Sequence, residues 1–145
     1  MNDTREKGIK EFLNTNFSFG TDNIELYNEA LTHSSNVLPN NQRLAFLGDS
    51  VLKLIIREHY FRKHPDWDKG RLTAECGETI EPNENLAKIA IELEIGDYMD
   101  IKNPPSDLKT HTKINAEAFE AIFGAIYLDK GLDKAKEMVQ KLKII

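Results

Sequence analysis

Apolar residues recur at helical spacing along most of the chain, and no long strict alternation marks a strand. Ile9, Phe12 and Leu13 predict a first helix, ending before the Phe17-Ser-Phe-Gly20 segment. Asn23 is placed to cap a second, which carries Ile24, Tyr27, Ala30 and Leu31. Pro39 and Asn40 break the pattern. The longest run then extends from about Gln42 to Lys63. Its apolar positions (Leu44, Phe46, Leu47, Val51, Leu52, Leu54, Ile55, Ile56) cover nearly the whole circumference, which predicts a central, buried helix. Pro65 and Asp66 end it. Residues 70–79 are ambiguous, with a short helix after a capping turn as one reading. Pro82 fits the first turn of a helix through Leu86, Ile89, Ala90 and Leu93 that stops near Gly96. Residues 102–113, with Pro104 and Pro105, read as a loop. Residues 115–128 form another strongly apolar helix, ended by Gly131, and Leu132, Ala135, Val139 and Leu142 mark a last amphipathic one. The expected fold is all-α, without a sheet.

Two of these helices carry acids on otherwise apolar segments: Asn41-Gln-Arg-Leu-Ala-Phe-Leu-Gly-Asp-Ser-Val51 and Asn115-Ala-Glu-Ala-Phe-Glu-Ala-Ile-Phe-Gly-Ala-Ile-Tyr-Leu-Asp129. Glu117 and Glu120, three apart, emerge on one helix face. Asp49 follows Gly48 in the middle of the longest helix. Glycine inside a helix costs ~1 kcal/mol against alanine, so Gly48 and Gly124 suggest a close crossing of the two helices. Such a crossing brings Asp49, Glu117 and Glu120 together. Three adjacent carboxylates repel one another unless a cation neutralises them. Hard oxygen donors select magnesium, manganese or calcium over zinc, and magnesium keeps waters that suit hydrolysis. The bland reading is that helix-surface acids are simply solvated, which fits the Glu pair better than Asp49.

A chain of 145 residues is expected to be one domain, over residues 1–145. The beginning of the chain has no apolar signal core, and no run approaches the ~20 apolar residues of a membrane span, so a cytoplasmic protein with no membrane partner is expected. Cys76 is the single cysteine, which excludes an internal disulfide and a cysteine metal cluster. A net charge of −5 argues against a protein that grips nucleic acid by charge alone. It leaves room for local lysines flanking a metal-binding set of acids.

Read together, the segments resemble the ribonuclease III family, in order and over nearly the whole chain. Glu29-Ala-Leu-Thr-His-Ser-Ser35 looks like its early helix-end motif. Gln42-Arg-Leu-Ala-Phe-Leu-Gly-Asp-Ser-Val-Leu52 looks like its signature, usually Glu-Arg-Leu-Glu-Phe-Leu-Gly-Asp. Pro65-Asp-Trp-Asp-Lys-Gly-Arg-Leu-Thr73, Asn83-Glu-Asn-Leu-Ala87 and Ala116-Glu-Ala-Phe-Glu-Ala121 follow at suitable intervals. The resemblance implies an all-α endonuclease domain, a helical bundle that forms a homodimer and hydrolyses double-stranded RNA with Mg2+, Mn2+ being expected to substitute. It makes Phe46 a knob in the dimer interface, whereas position alone would place that ring in the protein's own core. Asp49, Glu117 and Glu120 become the expected catalytic, metal-binding acids.

The chain departs from the family pattern at several of these positions. Ala45 stands where the signature has its second Glu, Gln42 where it has its first, Glu117 where Asp is usual, and Lys69 in place of an acid. The resemblance to a compact branch that keeps mainly the Gly-Asp and Phe-Glu acids implies weakened, metal-hungry activity. A non-catalytic module that binds RNA or protein as a dimer is the alternative, and a plain helical interaction domain a third reading. The double-stranded-RNA-binding domain of ordinary members is not in this sequence, so the chain reads as a compact form or a fragment. A-form RNA is gripped by shape, phosphate and 2′-hydroxyl contacts. Arg43, Lys109 and Lys113, with Lys102, are the candidates for touching phosphate. His33 is expected to hydrogen-bond at a helix end rather than to catalyse. Trp67 and Cys76 are expected to pack.

Overall fold

The computed structural model describes residues 1–77 and 83–145. Among the described residues, seven α-helices run in chain order: α1 (Asp3–Phe17), α2 (Ile24–Ala30), α3 (Gln42–Lys63), α4 (Lys69–Glu75), α5 (Asn83–Glu92), α6 (Thr112–Lys130) and α7 (Leu132–Lys141). Two 3-10 turns, Ile95–Tyr98 and Leu108–Thr110, lie between α5 and α6. Among the described residues there is no strand, only one parallel bridge between Thr32 and Asp100. The all-α reading therefore holds.

Side chains at the helix ends explain several boundaries. Asn2 accepts from the Arg5 amide at 2.8 Å and starts α1, with Asp3 and Glu6 favourably placed at the positive end of its dipole. Ser18, in the left-handed conformation at φ 58°, ends it. Asp68 caps α4 by accepting from the Arg71 amide at 2.9 Å, which resolves the ambiguous 70–79 segment as a short helix up to Glu75; Thr79 and Pro82 lie outside the described residues. Asn23 precedes α2 as expected, but its side chain makes no capping bond. The loop expected over 102–113 ends earlier, because His111 Nδ1 accepts from the Ile114 amide at 3.2 Å and nucleates α6. Asn115, fully buried, then donates to the carbonyls of Leu108 (2.8 Å) and His111 (2.7 Å), binding the loop to the first turn of α6.

The centre of the molecule is α6, not α3. Residues Ala116, Ala118, Phe119, Ala121, Ile122, Phe123, Ala125 and Ile126 are fully buried, and α6 packs against α2, α3, α5 and α7. Helix α3 lies across it and buries Leu44, Val51, Leu52, Ile55 and Ile56 on that side. The expectation that α3 is buried all round needs correction. Phe46 is 82% exposed and Leu54 54% exposed, so α3 turns an apolar face to solvent. His33 has the helix-end role expected: its amide donates to the Asp100 carbonyl at 2.9 Å, and its Nδ1 accepts from the Ser35 amide at 3.0 Å. Trp67 stacks on His64 at 3.6 Å with Arg71 over its ring, and Cys76 is buried.

Candidate active site

The site begins with two glycines. A Cβ on Gly48 would overlap the carbonyl oxygen of Glu120 and sit 2.9 Å from the Gly124 nitrogen. One on Gly124 would overlap the carbonyl oxygen of Leu44. Helices α3 and α6 thus touch backbone to backbone, closer than any side chain permits. This contact sets the register of the neighbouring acids: Asp49 is the next residue after Gly48, and Glu120 stands one turn before Gly124 on α6.

The crossing brings the two acids together. The Glu120 carboxyl hydrogen-bonds the Asp49 carboxylate. Burial, then the Asp49 charge and that hydrogen bond, then the Glu117 charge push the Glu120 pKa up to about 7, while Lys53 opposes the shift. Asp49 is less enclosed than its apolar neighbours suggest: its side chain is 43% exposed. The face of α3 that carries it is open beside the crossing. Its Oδ2 also lies 3.1 Å from Lys53 Nζ, one turn further along α3.

Glu117 stands beside the pair with partners of its own. Gln42 Nε2 donates to its Oε2 at 2.9 Å, and Lys113 Nζ lies 4.0 Å from its Oε1. The same Gln42 nitrogen donates to Asn41 Oδ1 at 3.0 Å, and Asn41 is fully buried. Among the described residues, no set of three acidic, histidine or cysteine side chains closes around a single point where an ion would sit. The structure thus joins Asp49 to Glu120 and keeps Glu117 within electrostatic reach of Glu120. Ala45, one turn before Asp49, is almost fully buried and offers no oxygen. Two carboxyl groups brought this close nevertheless suit a hard divalent cation, which would neutralise their charge and complete its shell with water.

Among Arg43, Lys109 and Lys113, three of the basic residues expected to meet phosphate, only Lys113 touches the acid cluster. Lys109 lies 3.8 Å from Asp97 and is 81% exposed. Arg43 lines a different feature, an apolar hollow of about 630 Å³ shared with Phe46, Leu26, Leu44, Leu47 and Leu128. Sequence reasoning missed Lys53 and Asn41. The i,i+4 spacing from Asp49 to Lys53 was available as a signal; for Asn41 there was none.

The helical bundle in which this crossing lies has the fold of a ribonuclease III nuclease domain. The chain belongs to that family, whose sequence model, described as Ribonuclease-III-like, matches residues 23–144. It is 40% identical over 139 residues to Ribonuclease 3 of a Nitratiruptor species, covering 94% of this chain and 61% of that protein. It is 44% identical over 126 residues to Ribonuclease 3 of Pelotomaculum thermopropionicum, covering 80% and 52%. Among solved structures, the nuclease domain of ribonuclease III from Campylobacter jejuni matches with a TM-score of 0.83 at 33% identity, covering 91% of this chain and 94% of that one. That structure is described as showing flexibility in the region involved in dimer formation. The chain spans about half to three fifths of the length of the curated relatives named here. No helix among the described residues is long and apolar enough to cross a membrane.

Proposed function

We propose that the protein is a divalent-metal-dependent endoribonuclease that hydrolyses double-stranded RNA as a homodimer in the cytoplasm. The observation that carries this reading is the carboxyl–carboxylate contact of Asp49 and Glu120 over the Gly48–Gly124 crossing. When bound, Mg2+ or Mn2+ would lower the pKa of water, so that hydroxide is available near neutral pH, and would offset the charge on a phosphodiester oxygen. Asp49 and Glu120 would hold the ion through their carboxylate oxygens. Glu117, fixed by Gln42, adds negative charge beside them and orients water. Lys113 and, further out, Lys109 and Lys102 meet the backbone of the RNA, and Arg43 does so from the edge of the hollow around Phe46.

The dimer is supported by Phe46. A ring 82% exposed at the edge of an apolar hollow is costly in water. Burying it against a second copy stabilises by about 2–3 kcal/mol per ring. A two-fold axis places each ring on the other protomer's surface.

Incubation with long double-stranded RNA tests the reading. Cleavage with Mg2+ or Mn2+, leaving 5′-phosphate and 3′-hydroxyl ends and lost in Asp49→Asn, supports it. No cleavage at high protein and high metal, where a four-acid relative cuts, refutes it. Ala45 and the ion pair of Asp49 with Lys53 favour a second reading, a module that binds RNA or protein without cutting. Ala45→Glu separates the two: activity rising from nothing marks a degenerate site, and a small gain marks one already at work.

A further inference from the structure

Lys53 lies on α3 one turn beyond Asp49, with its Nζ 3.1 Å from Asp49 Oδ2 and its side chain 44% exposed. It is a cation in direct contact with the acid pair, whereas Lys113 approaches Glu117 instead. On the opposite side of Asp49, one turn earlier, Ala45 contributes neither charge nor oxygen. The pair therefore has one acid fewer and one cation more than a set of carboxylates built only for an ion. A divalent cation on Asp49 Oδ2 would take up the space and the negative charge that the ammonium holds, and two cations at that distance repel. The four-carbon stem of lysine, half in solvent, lets the ammonium swing away without disturbing the helix.

We propose that Lys53 is a resident counter-ion of the acid pair that a divalent metal must displace, so that this chain sets its own metal affinity by internal competition. The inference rests on the reading of Asp49 and Glu120 as metal ligands. Its consequence is a site charge-balanced at low metal and loaded only when the free ion is abundant.

Mn2+ binding to the RNA-free protein, read by the electron paramagnetic resonance of free Mn2+, tests this without reference to activity. Lys53→Met keeps the stem and removes the charge, and it is expected to bind Mn2+ about 5- to 10-fold more tightly than the wild type. Lys53→Arg keeps the charge and is expected to stay within about 2-fold of wild type. Circular dichroism checks that both remain folded, which their exposed position favours. Equal or weaker binding by Lys53→Met, with wild-type binding intact and lost in Asp49→Asn, overturns the counter-ion role and leaves the metal site standing. Absence of Mn2+ binding in wild type and Lys53→Met alike overturns both.

Discussion

Gln42 Nε2 donates to Glu117 Oε2 at 2.9 Å across the α3–α6 crossing. A neutral amide thus faces an acid at this point of the site, and it holds that acid in place instead of repelling it. Replacing the amide by a carboxylate changes both effects at once. Gln42→Glu is expected to destabilise the metal-free protein by about 1 kcal/mol, from the lost hydrogen bond and a like-charge contact. Addition of Mn2+ is expected to raise its melting temperature more than that of the wild type. Differential scanning fluorimetry with and without Mn2+ measures both; an identical metal response in the two proteins contradicts the placement of Glu117 beside the ion.

Gly48 is expected to tolerate no side chain. Gly48→Ala forces the α3 backbone away from the Glu120 carbonyl, costing about 3 kcal/mol or more, and it separates the acid pair as well. Gly8, on α1 with open space where a Cβ would stand, provides the contrast. Gly8→Ala is expected to stabilise by about 0.5–1 kcal/mol through helix propensity. Urea unfolding of the two variants checks the opposite signs.

The raised pKa of Glu120 ties stability to pH in a definite direction. In the unfolded chain the carboxyl loses its proton near 4.5, whereas in the folded, metal-free protein it keeps it up to about 7. Between these values the folded state binds more protons, so stability is fully present below about 4.5 and falls as pH rises through 7. Solvent screening at this partly open site holds the loss to roughly 1–2 kcal/mol. Glu120→Gln removes the loss, and this variant is expected to be more stable than wild type above pH 7 and equal to it near pH 4. Unfolding curves from pH 4 to 8 without metal decide this; parallel pH profiles contradict it.

Phe46 is expected to matter for assembly and not for the protomer. Phe46→Ala removes little intramolecular packing, because the ring is exposed. It is expected to weaken dimerisation by about 1,000-fold or more, because a symmetric dimer loses two buried rings at about 2–3 kcal/mol each. Sedimentation velocity across a concentration series, with the unfolding midpoint of dilute protein as control, separates the two effects. A wild-type protein that stays monomeric at high concentration contradicts the dimer.

Much of this organisation was legible in the residues. The span of α3 follows from apolar spacing bounded by Pro39–Asn40 and Pro65, and the close approach of α3 and α6 from glycines placed where helices rarely carry them. The ranking of the two apolar helices was not legible. Composition made α3 look central, but the all-round burial belongs to α6, whose small residues Ala116, Ala118, Ala121 and Ala125 let neighbours pack on every side. Phe46 and Leu54 face solvent because α3 has more apolar positions than α6 can cover. The start of α6 was misplaced because a histidine cap, His111, carries no strong sequence signal. Within the site, the Asp49–Glu120 contact followed from the glycines, whereas the engagement of Glu117 by Gln42 depends on side-chain rotamers that spacing does not reveal.

A crystal of the protein soaked in Mn2+, with the anomalous signal used to locate the ion, tests the central claim most directly. The account predicts a peak within about 2.0–2.3 Å of carboxylate oxygens of both Asp49 and Glu120, with Lys53 turned out to solvent. No peak there at saturating Mn2+, with Glu120 still hydrogen-bonded to Asp49, would contradict it.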